Sequence, residues 1–387
     1  MRLFISILAF GILGLSLTEG RDELQQILSQ PKSALPTVEL REVTGYPVGI
    51  VALAAVGTPP QPVRLLIDLL EGPFFLPSAE LATYHSEIGD DSRIYFGNGS
   101  TTYASWDPKQ FRDQYGVFWV QGPLATDTLR IAGLDLPHQP FLHADSYDAF
   151  MIDFFMTGYD GVLCLSPHTA DDSSPFPSPW FTMVRRGMLE RKLLAMSIPN
   201  EAAGNTGALT FGGIDPAYAS SPFRSIPLVG NGEAWSVPLR SLGWADASDP
   251  LHHDFPAGAT AVLTTETYVA VPRSFQRRWA SDVVLGCDAM DKQCEVDCAR
   301  RTDMPDVVVG LGDHEFRIKA FQYAAPVVRE DGREMCVLSM MDIDQVLDPP
   351  RPDGGVELLF GLPFLRAFYS VFDLDQREIR LTEKLAV

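Results

Sequence analysis

Short apolar runs separated by turn residues recur along this chain, and they constrain its fold more than any other feature. They come every ten or so residues, bounded by Gly, Pro, Asn and Asp, at 48–56, 63–67, 116–120, 128–132 and 161–165. This spacing is typical of an all-β protein. Helices are predicted only over 180–194, where the apolar residues are spaced for one face, and over 274–282. We therefore predict a mostly antiparallel β fold with few short helices.

A weak internal repeat indicates two lobes. Residues 66–71, which lead to Leu76 and Pro77, are similar to residues 262–267, which lead to Val271 and Pro272. A repeated supersecondary unit predicts two related halves. With 387 residues, 46% of them hydrophobic, the chain can bury two cores of ordinary domain size. We place an N-terminal lobe at 41–225 and a C-terminal lobe at 226–387.

The first forty residues predict export. Residues 1–20 have one early charge, Arg2, then an apolar stretch at 3–17 and small residues near Gly20, as in a secretory signal peptide. Residues 21–40 are polar and predict a short leader or N-terminal arm. No later apolar run approaches membrane-spanning length. We expect a secreted, extracellular protein, with a vacuole or another secretory compartment as the alternative.

The charge balance limits the partners. Thirty basic and fifty acidic residues give a net charge of −20. This sign repels phosphate backbones and anionic membrane surfaces, so we expect neither nucleic acid nor membrane as a partner. We expect a monomer without a cofactor or a metal. The run His252-His253-Asp254 predicts a solvated loop rather than a metal site, because adjacent residues in an extended segment point to opposite faces.

Cysteines and one sequon fit an exported chain. Five cysteines predict two disulfides and one leftover thiol; they are Cys164, Cys287, Cys294, Cys298 and Cys336. A zinc site is the alternative for the last four, but no Cys-x-x-Cys pair supports it. Cys164, between two leucines, predicts an inert buried thiol. Asn98 lies in an Asn-Gly-Ser sequon within a polar stretch and predicts a glycosylated loop.

Several segments, in order, resemble the pepsin-type aspartic proteases. They are residues 57–61 with the run into Asp68, Tyr115-Gly116 twelve residues before Asp127-Thr128, and residues 159–163, 207–215, 359–366 and 369–373. The resemblance covers residues 46–383. It implies a bilobal, mostly antiparallel β fold with a central cleft that receives a peptide or protein. It also implies a disulfide between Cys298 and Cys336, which leaves Cys287 and Cys294 to pair.

The same resemblance implies a catalytic pair of carboxyls. In that family two carboxyls share a water, one ionised and one protonated, and each lies in Asp-Thr-Gly followed by Ser or Thr. The corresponding segments here are 68–71 and 264–267, of which only Asp68, Thr265 and Thr267 match. Thr264 stands at the second aspartate and cannot ionise near neutral or acid pH. Half of the pair is therefore absent.

Other departures surround this position. Leu69 replaces the threonine that the family bonds across to the opposite loop, and Leu70 and Glu266 place bulk where the family has glycines. Cys164 replaces a glycine expected behind the first loop, whereas its counterpart Gly361 remains.

The predicted flap is changed as well. Tyr115 and Gly116 are kept, but Phe118 stands where the family has a glycine. We expect a stiffer and more apolar lid over the cleft. With Thr265 and Thr267, Tyr115 and Gly116 form the predicted binding residues.

Three hypotheses follow. The leading one is a secreted pseudoprotease that binds a peptide or protein without cleaving it efficiently, in which Asp68 serves either binding or local structure. The second is an active acid endopeptidase in which Glu266 replaces the lost aspartate beside Asp68. Glu266 lies two residues further along the turn, so its side chain starts from a different place, which argues against this hypothesis. The third is an inhibitor or recognition protein that acts on a secreted hydrolase through its outer surface.

Overall fold

The structure, a computed structural model, describes most of the chain after residue 19. The described residues are 20–43, 49–70, 72–79, 81, 94–115, 118–147, 159–167, 177–199, 207–230, 232–245, 252–275, 284–287, 294–328, 334–343 and 356–384. The predicted signal peptide at 1–20 thus lies almost wholly outside them.

Strands dominate the first part of the described chain. They are β1 (Thr37–Glu42), β2 (Ile50–Val56), β3 (Gln61–Asp68), β4 (Phe75–Pro77), β5 (Ala104–Tyr115), β6 (Phe118–Ile131), β7 (Leu134–Ala144), β8 (Ser146–Tyr147), β9 (Gly161–Cys164), β10 (Leu193–Ser197), β11 (Gly207–Phe211) and β12 (Arg224–Pro227). The predicted runs at 63–67, 128–132 and 161–165 fall within or overlap β3, β6 and β9.

Strands also dominate the second part. They are β13 (Ser236–Trp244), β14 (His252–Asp254), β15 (Thr260–Leu263), β16 (Val269–Val271), β17 (Val284–Cys287), β18 (Cys294–Val296), β19 (Val307–Leu311), β20 (His314–Ile318), β21 (Ala324–Val328), β22 (Glu334–Leu338), β23 (Met340–Asp342), β24 (Glu357–Phe360), β25 (Phe368–Asp373) and β26 (Glu378–Glu383). The prediction of a mostly β protein is confirmed.

Helices are short. The α-helices with complete bounds are α1 (Pro179–Arg185), α2 (Ala320–Tyr323) and α3 (Leu362–Leu365), and 3-10 turns occupy Gly97–Gly99, Pro216–Tyr218 and Cys298–Asp303. Residues 20–29 are also helical. None of the helices in the described part of the chain is long and apolar enough to cross a bilayer.

The helix predicted over 180–194 was extended too far. α1 begins after Ser178, whose side chain accepts a hydrogen bond from the Phe181 N–H, and it ends at Arg185. Gly187 then adopts a left-handed conformation with φ of 65°, which stops a helix. Leu193–Ser197 instead forms β10, where every residue is buried between two neighbouring strands. The helix predicted over 274–282 lies mostly outside the described residues.

The two halves repeat one local arrangement of strands. In the first half β3 runs parallel to β9, and Phe75 of β4 pairs with Val162 of β9. In the second half β15 runs parallel to β24, and Val269 of β16 pairs with Phe360 of β24. The internal repeat at 66–71 and 262–267 lies where β3 and β15 end. This arrangement places the ends of two matched strands where the candidate site must form.

One sheet joins the two halves. Its order runs from β12 through β26, β25, β10, β11 and β1 to β2 and β3. The chain therefore returns at residues 368–383 to strands formed by its first half. β1, in the segment expected to be a leader or arm, lies between β11 and β2, and its Val38 and Leu40 are buried. The preceding helical residues pack there too, with Ile27 against Leu53 and Ala55.

The second half is cross-linked. Cys298 and Cys336 form a disulfide, as the resemblance implied. Cys294 is also disulfide-bonded, and Cys287 lies directly opposite it in the antiparallel pair of β17 and β18. Cys164 is a buried thiol in the first half.

Candidate functional site

The first loop of the site begins at Asp68, the last residue of β3. Its side chain is 7% exposed, and its Oδ1 accepts a hydrogen bond of 2.7 Å from the backbone N–H of Leu70. The Leu165 N–H donates to the Asp68 carbonyl at 2.7 Å and ties the loop to β9. The carboxylate therefore closes its own turn, a role that aspartate often takes in loops.

The second loop repeats this turn without a carboxylate. Thr264 follows β15 directly and is fully buried. Its Oγ1 accepts a hydrogen bond of 3.2 Å from the backbone N–H of Glu266, two residues on, as Asp68 does for Leu70. The Thr264 N–H donates to the Phe360 carbonyl at 3.0 Å. A hydroxyl satisfies the turn as a carboxylate does, but it supplies no ionisable group.

The two loops meet. The backbone N–H of Leu69 donates to Thr265 Oγ1 at 3.3 Å. One half of the expected cross-lobe brace is therefore present, and Leu69 itself provides a buried side chain to the core. Asp68 and Thr264 thus lie on two loops that contact each other, and that they face a shared cleft stays a prediction of the resemblance.

Glu266 lies within the electrostatic influence of Asp68. Burial raises the pKa of the Glu266 carboxyl to about 7, and the negative charge of Asp68 contributes further. Its backbone is fixed, since the Glu266 carbonyl accepts the Leu362 N–H at 2.7 Å. The site therefore holds two carboxyls, although the second does not stand where the strand pattern predicts an aspartate.

The residues that pack behind the two loops differ in size. A Cβ placed on Gly361 would lie 2.1 Å from the Glu266 carbonyl oxygen and 2.4 Å from that of Tyr268, so only glycine fits there. In the first half Cys164 stands opposite Asp68 in the parallel register and is fully buried. The first loop thus leaves room for a side chain that the second loop does not allow.

Comparison with known proteins decides the family. The model of the family described as eukaryotic aspartyl protease matches residues 51–384. A vacuolar aspartic protease of Candida albicans is 27% identical over 334 residues, 84% of this chain and 73% of the relative. Napsin-A of Mus musculus is 25% identical over 332 residues, with 84% and 74% covered, and cathepsin E of Mus musculus is 24% identical over 328 residues, with 84% and 78% covered.

This chain belongs to the eukaryotic aspartyl protease family. The pepsin-like resemblance inferred from the motifs is confirmed, and with it the bilobal fold. Asp68 and Thr264 hold the two positions that the resemblance predicts for the family's paired aspartates, and of the two only Asp68 is a carboxyl.

The hairpin of β5 and β6 carries the residues that are predicted to form the flap. Tyr115 and Phe118 pair at its end. Gly116 and the side chains of Tyr115 and Phe118 lie outside the described residues, so the expectation of a stiffer, more apolar lid stays a prediction. Further down the hairpin, the Arg112 guanidinium lies 4.1 Å from the centroid of the Trp119 ring.

Trp235 is a site residue that the motifs did not reveal. Its indole N–H donates to the Leu165 carbonyl at 3.0 Å, behind the first loop. Its own carbonyl accepts the Leu263 N–H at 3.0 Å, directly before Thr264. One buried tryptophan therefore links the strand ends that carry both loops. Its surrounding sequence has no recognisable motif, so only the three-dimensional contacts identify it.

The remaining predicted residues lie apart from this centre or at its edge. Thr267 is partly buried after the second loop, and Asn98 is exposed in the 3-10 turn Gly97–Gly99. His252 and Asp254 are solvated, as predicted, but they lie on strand β14, which pairs with β13, and not in a loop; their side chains contact each other at 2.9 Å. Within the described ranges, no group of three or more His, Cys, Asp or Glu residues could hold a metal ion.

Proposed function

We propose that this protein is an aspartyl protease homologue whose cleft binds an extended peptide or protein segment and does not cleave it efficiently. The observation that carries the proposal is Thr264, fully buried, with its hydroxyl accepting the Glu266 N–H. General acid–base hydrolysis by this family needs one ionised and one protonated carboxyl on a shared water. A hydroxyl cannot exchange between those two states at acid pH.

Binding does not need the second carboxyl. The two loops still meet through Leu69 and Thr265, and the two halves retain matched strand ends around them. Asp68 remains a buried acceptor that can receive a hydrogen bond from a ligand. These contacts support a cleft that binds a ligand, although only Asp68 is a carboxyl at the two predicted catalytic positions.

The test compares cleavage with binding in one purified protein. A diverse peptide library is incubated from pH 2 to 7 with the wild type and with Asp68→Ala, with and without pepstatin. We expect no Asp68-dependent cleavage at any pH, together with saturable binding of a subset of peptides that Asp68→Ala weakens. Cleavage that is lost in Asp68→Ala and blocked by pepstatin would contradict the proposal.

A second candidate is an acid endopeptidase that uses Asp68 with Glu266. The observation that favours it is the raised pKa of Glu266, to about 7, which keeps this carboxyl protonated at acid pH while Asp68 lies close enough to contribute. Two carboxyls with separated protonation states are the requirement for this chemistry. Cleavage by the wild type that disappears in both Asp68→Ala and Glu266→Gln would establish it, whereas an uncleaved library excludes it.

We also propose that the protein enters the secretory pathway. The sequence predicts a signal peptide, the three disulfide-bonded cysteines described in the second half suit an oxidising compartment, and similar proteins are named vacuolar aspartic protease and vacuolar protease A. The exposed Asn98 provides a direct readout, because an N-linked glycan is added only to chains that enter this pathway. We expect endoglycosidase to reduce the mass of the wild type but not of Asn98→Gln. Equal masses before and after treatment would argue against glycosylation at Asn98.

A further inference from the structure

A small apolar cluster lies beside the site on the second half but outside its main core. Val262, Ala270 and Leu359 form it, and they are 3%, 0% and 6% exposed. Their chain neighbours, by contrast, belong to the main core: Ala261, Leu263, Val269, Val271, Leu358 and Phe360. Since successive strand residues point to opposite faces of a sheet, the three cluster residues project from the face turned away from that core.

The cluster adjoins the catalytic positions. It lies on three adjacent strands, β15, β24 and β16, and Val262 pairs with Leu359 in the parallel register. Val262 is two residues before Thr264. An apolar surface therefore begins next to the second loop, on the strands that lead into it.

Leu70 covers this surface from the other half. The partly buried side chains packed against the cluster are Leu70, Ala234, Tyr268 and Ile343. Among these described residues, Leu70 alone comes from the first half of the chain. Its backbone is held by the hydrogen bond of its N–H to Asp68 Oδ1. Leu70 occupies a position where the family resemblance implies glycine, so the contact comes from a side chain that this chain has added.

We propose that Leu70 is a built-in occupant of an apolar ligand pocket formed by Val262, Ala270 and Leu359, and that it excludes a large aliphatic ligand side chain from that pocket. The inference rests on the proposed binding of a peptide in the cleft. An aliphatic side chain of the size of leucine would complement this surface, because apolar contact is favourable wherever it removes area from water. In the wild type the ligand must first displace Leu70, which cancels that gain. Leu70 thereby determines specificity without taking part in chemistry.

The pocket is tested first without any peptide, using Leu70→Gly. Apolar cavities of this kind stay dry and accept benzene. The methyl resonances of Ala270, Val262 and Leu359 are followed by NMR while benzene is added. We expect saturable shifts in Leu70→Gly and none in the wild type. Shifts of equal size in both proteins, or none in Leu70→Gly, would overturn the proposal. If Leu70→Gly does not fold, Leu70→Ala removes the same aliphatic end and keeps the Cβ.

The second experiment measures specificity with two probes, acetylated and amidated penta-alanine and the same peptide with a central leucine. Removing a leucine-sized occupant makes room for one, so we expect Leu70→Gly to prefer the leucine peptide by about tenfold. The wild type should prefer it by no more than about twofold. The matched control is Leu66→Ala, two residues before Asp68, because Leu66 packs on the first-half cluster that contains Phe75 and Val162. It should behave as the wild type does.

The two experiments separate the inference from the function on which it rests. If benzene binds at Ala270 in Leu70→Gly but no peptide binds any of the proteins, the pocket is established and peptide binding in the cleft is refuted. If peptides bind and Leu70→Gly shows no leucine preference, the cleft function stands and Leu70 is refuted as its specificity residue.

Discussion

The two contacting loops form the same turn, but they differ in whether the side chain that closes it can ionise. Asp68 accepts the N–H of Leu70, and Thr264 accepts the N–H of Glu266. Carboxylate and hydroxyl satisfy the same backbone group, so the fold does not distinguish them. Catalysis does, because only the carboxylate ionises. Both loops therefore keep the same turn, whether a carboxylate or a hydroxyl closes it.

The surroundings of the loops differ in the same direction. Behind the first loop Cys164 belongs to an apolar cluster with Phe75, Val120 and Val162, so that half covers its outer face with its own hairpin. On the second half the corresponding face is covered in part by Leu70 from across the cleft. The second loop is also confined by Gly361, where no side chain fits. The second half therefore depends more on tight backing and on outside contacts.

The variant expected to have the largest effect on this difference removes the Cys298–Cys336 disulfide of the second half. Cys298 and Cys336 are separated by 38 residues. In the chain-entropy account, the variant Cys298→Ala/Cys336→Ala should lose about 4 kcal/mol of unfolding free energy. Cys164→Ala in the first half deletes one buried sulfur and should lose about 1 kcal/mol. Urea unfolding measures both; equal losses would remove the asymmetry.

Gly361→Ala should have the next largest effect. Its new Cβ would stand 2.1 Å from the Glu266 carbonyl oxygen, so the backbone of the second loop must move. We expect a loss of about 3 kcal/mol in urea unfolding, near the upper end for overpacking. The reference is Cys164→Ala, which keeps a Cβ at the matching place behind the first loop. If both variants unfold at the same urea concentration, the two loops do not differ in their backing.

Glu266 should make the stability of the folded protein depend on pH. Burial, followed by the charge of Asp68, raises its pKa to about 7 from its ordinary value of 4.5. A carboxyl with a raised pKa in the folded state contributes its full stability below the unfolded value, and that stability is lost as the pH rises to about 7. The loss should reach roughly 2–3 kcal/mol.

Urea unfolding between pH 4.5 and 7 measures this loss, with Glu266→Gln as the variant that cannot titrate. Its decline over this range should be flatter than that of the wild type. Asp68→Asn should flatten it only in part, because the charge of Asp68 is the second cause and burial the first. Parallel curves for the wild type and Glu266→Gln would mean that this carboxyl is not perturbed in the folded protein.

Much of the fold was predictable, because strand periodicity and turn residues are local signals. The helix predicted around α1 is too long because the apolar spacing of a helical face continues into β10. There, burial between neighbouring strands favours a strand instead. That Thr264 stands where the resemblance predicts an aspartate can be read from the sequence alone. Three features arise from residues far apart in the chain, so no local pattern encodes them. They are the contact of Leu70 with the opposite half, the bridge formed by Trp235 and the raised pKa of Glu266.

The smallest and most discriminating prediction concerns Thr264 itself. Thr264→Val keeps the shape of the side chain but removes the acceptor of the Glu266 N–H, which should cost about 1 kcal/mol in urea unfolding. Thr264→Ser keeps the hydroxyl and should cost less. In the first loop Asp68→Asn keeps an oxygen for the Leu70 N–H, so its turn should also be preserved.

If Thr264→Val is as stable as the wild type, the Thr264 hydroxyl does not hold the turn. Thr264 is then only a residue that stands where the resemblance predicts a carboxylate. If the expected order holds, the Thr264 hydroxyl closes its turn as Asp68 does, and the residue at the predicted second catalytic position has a structural role.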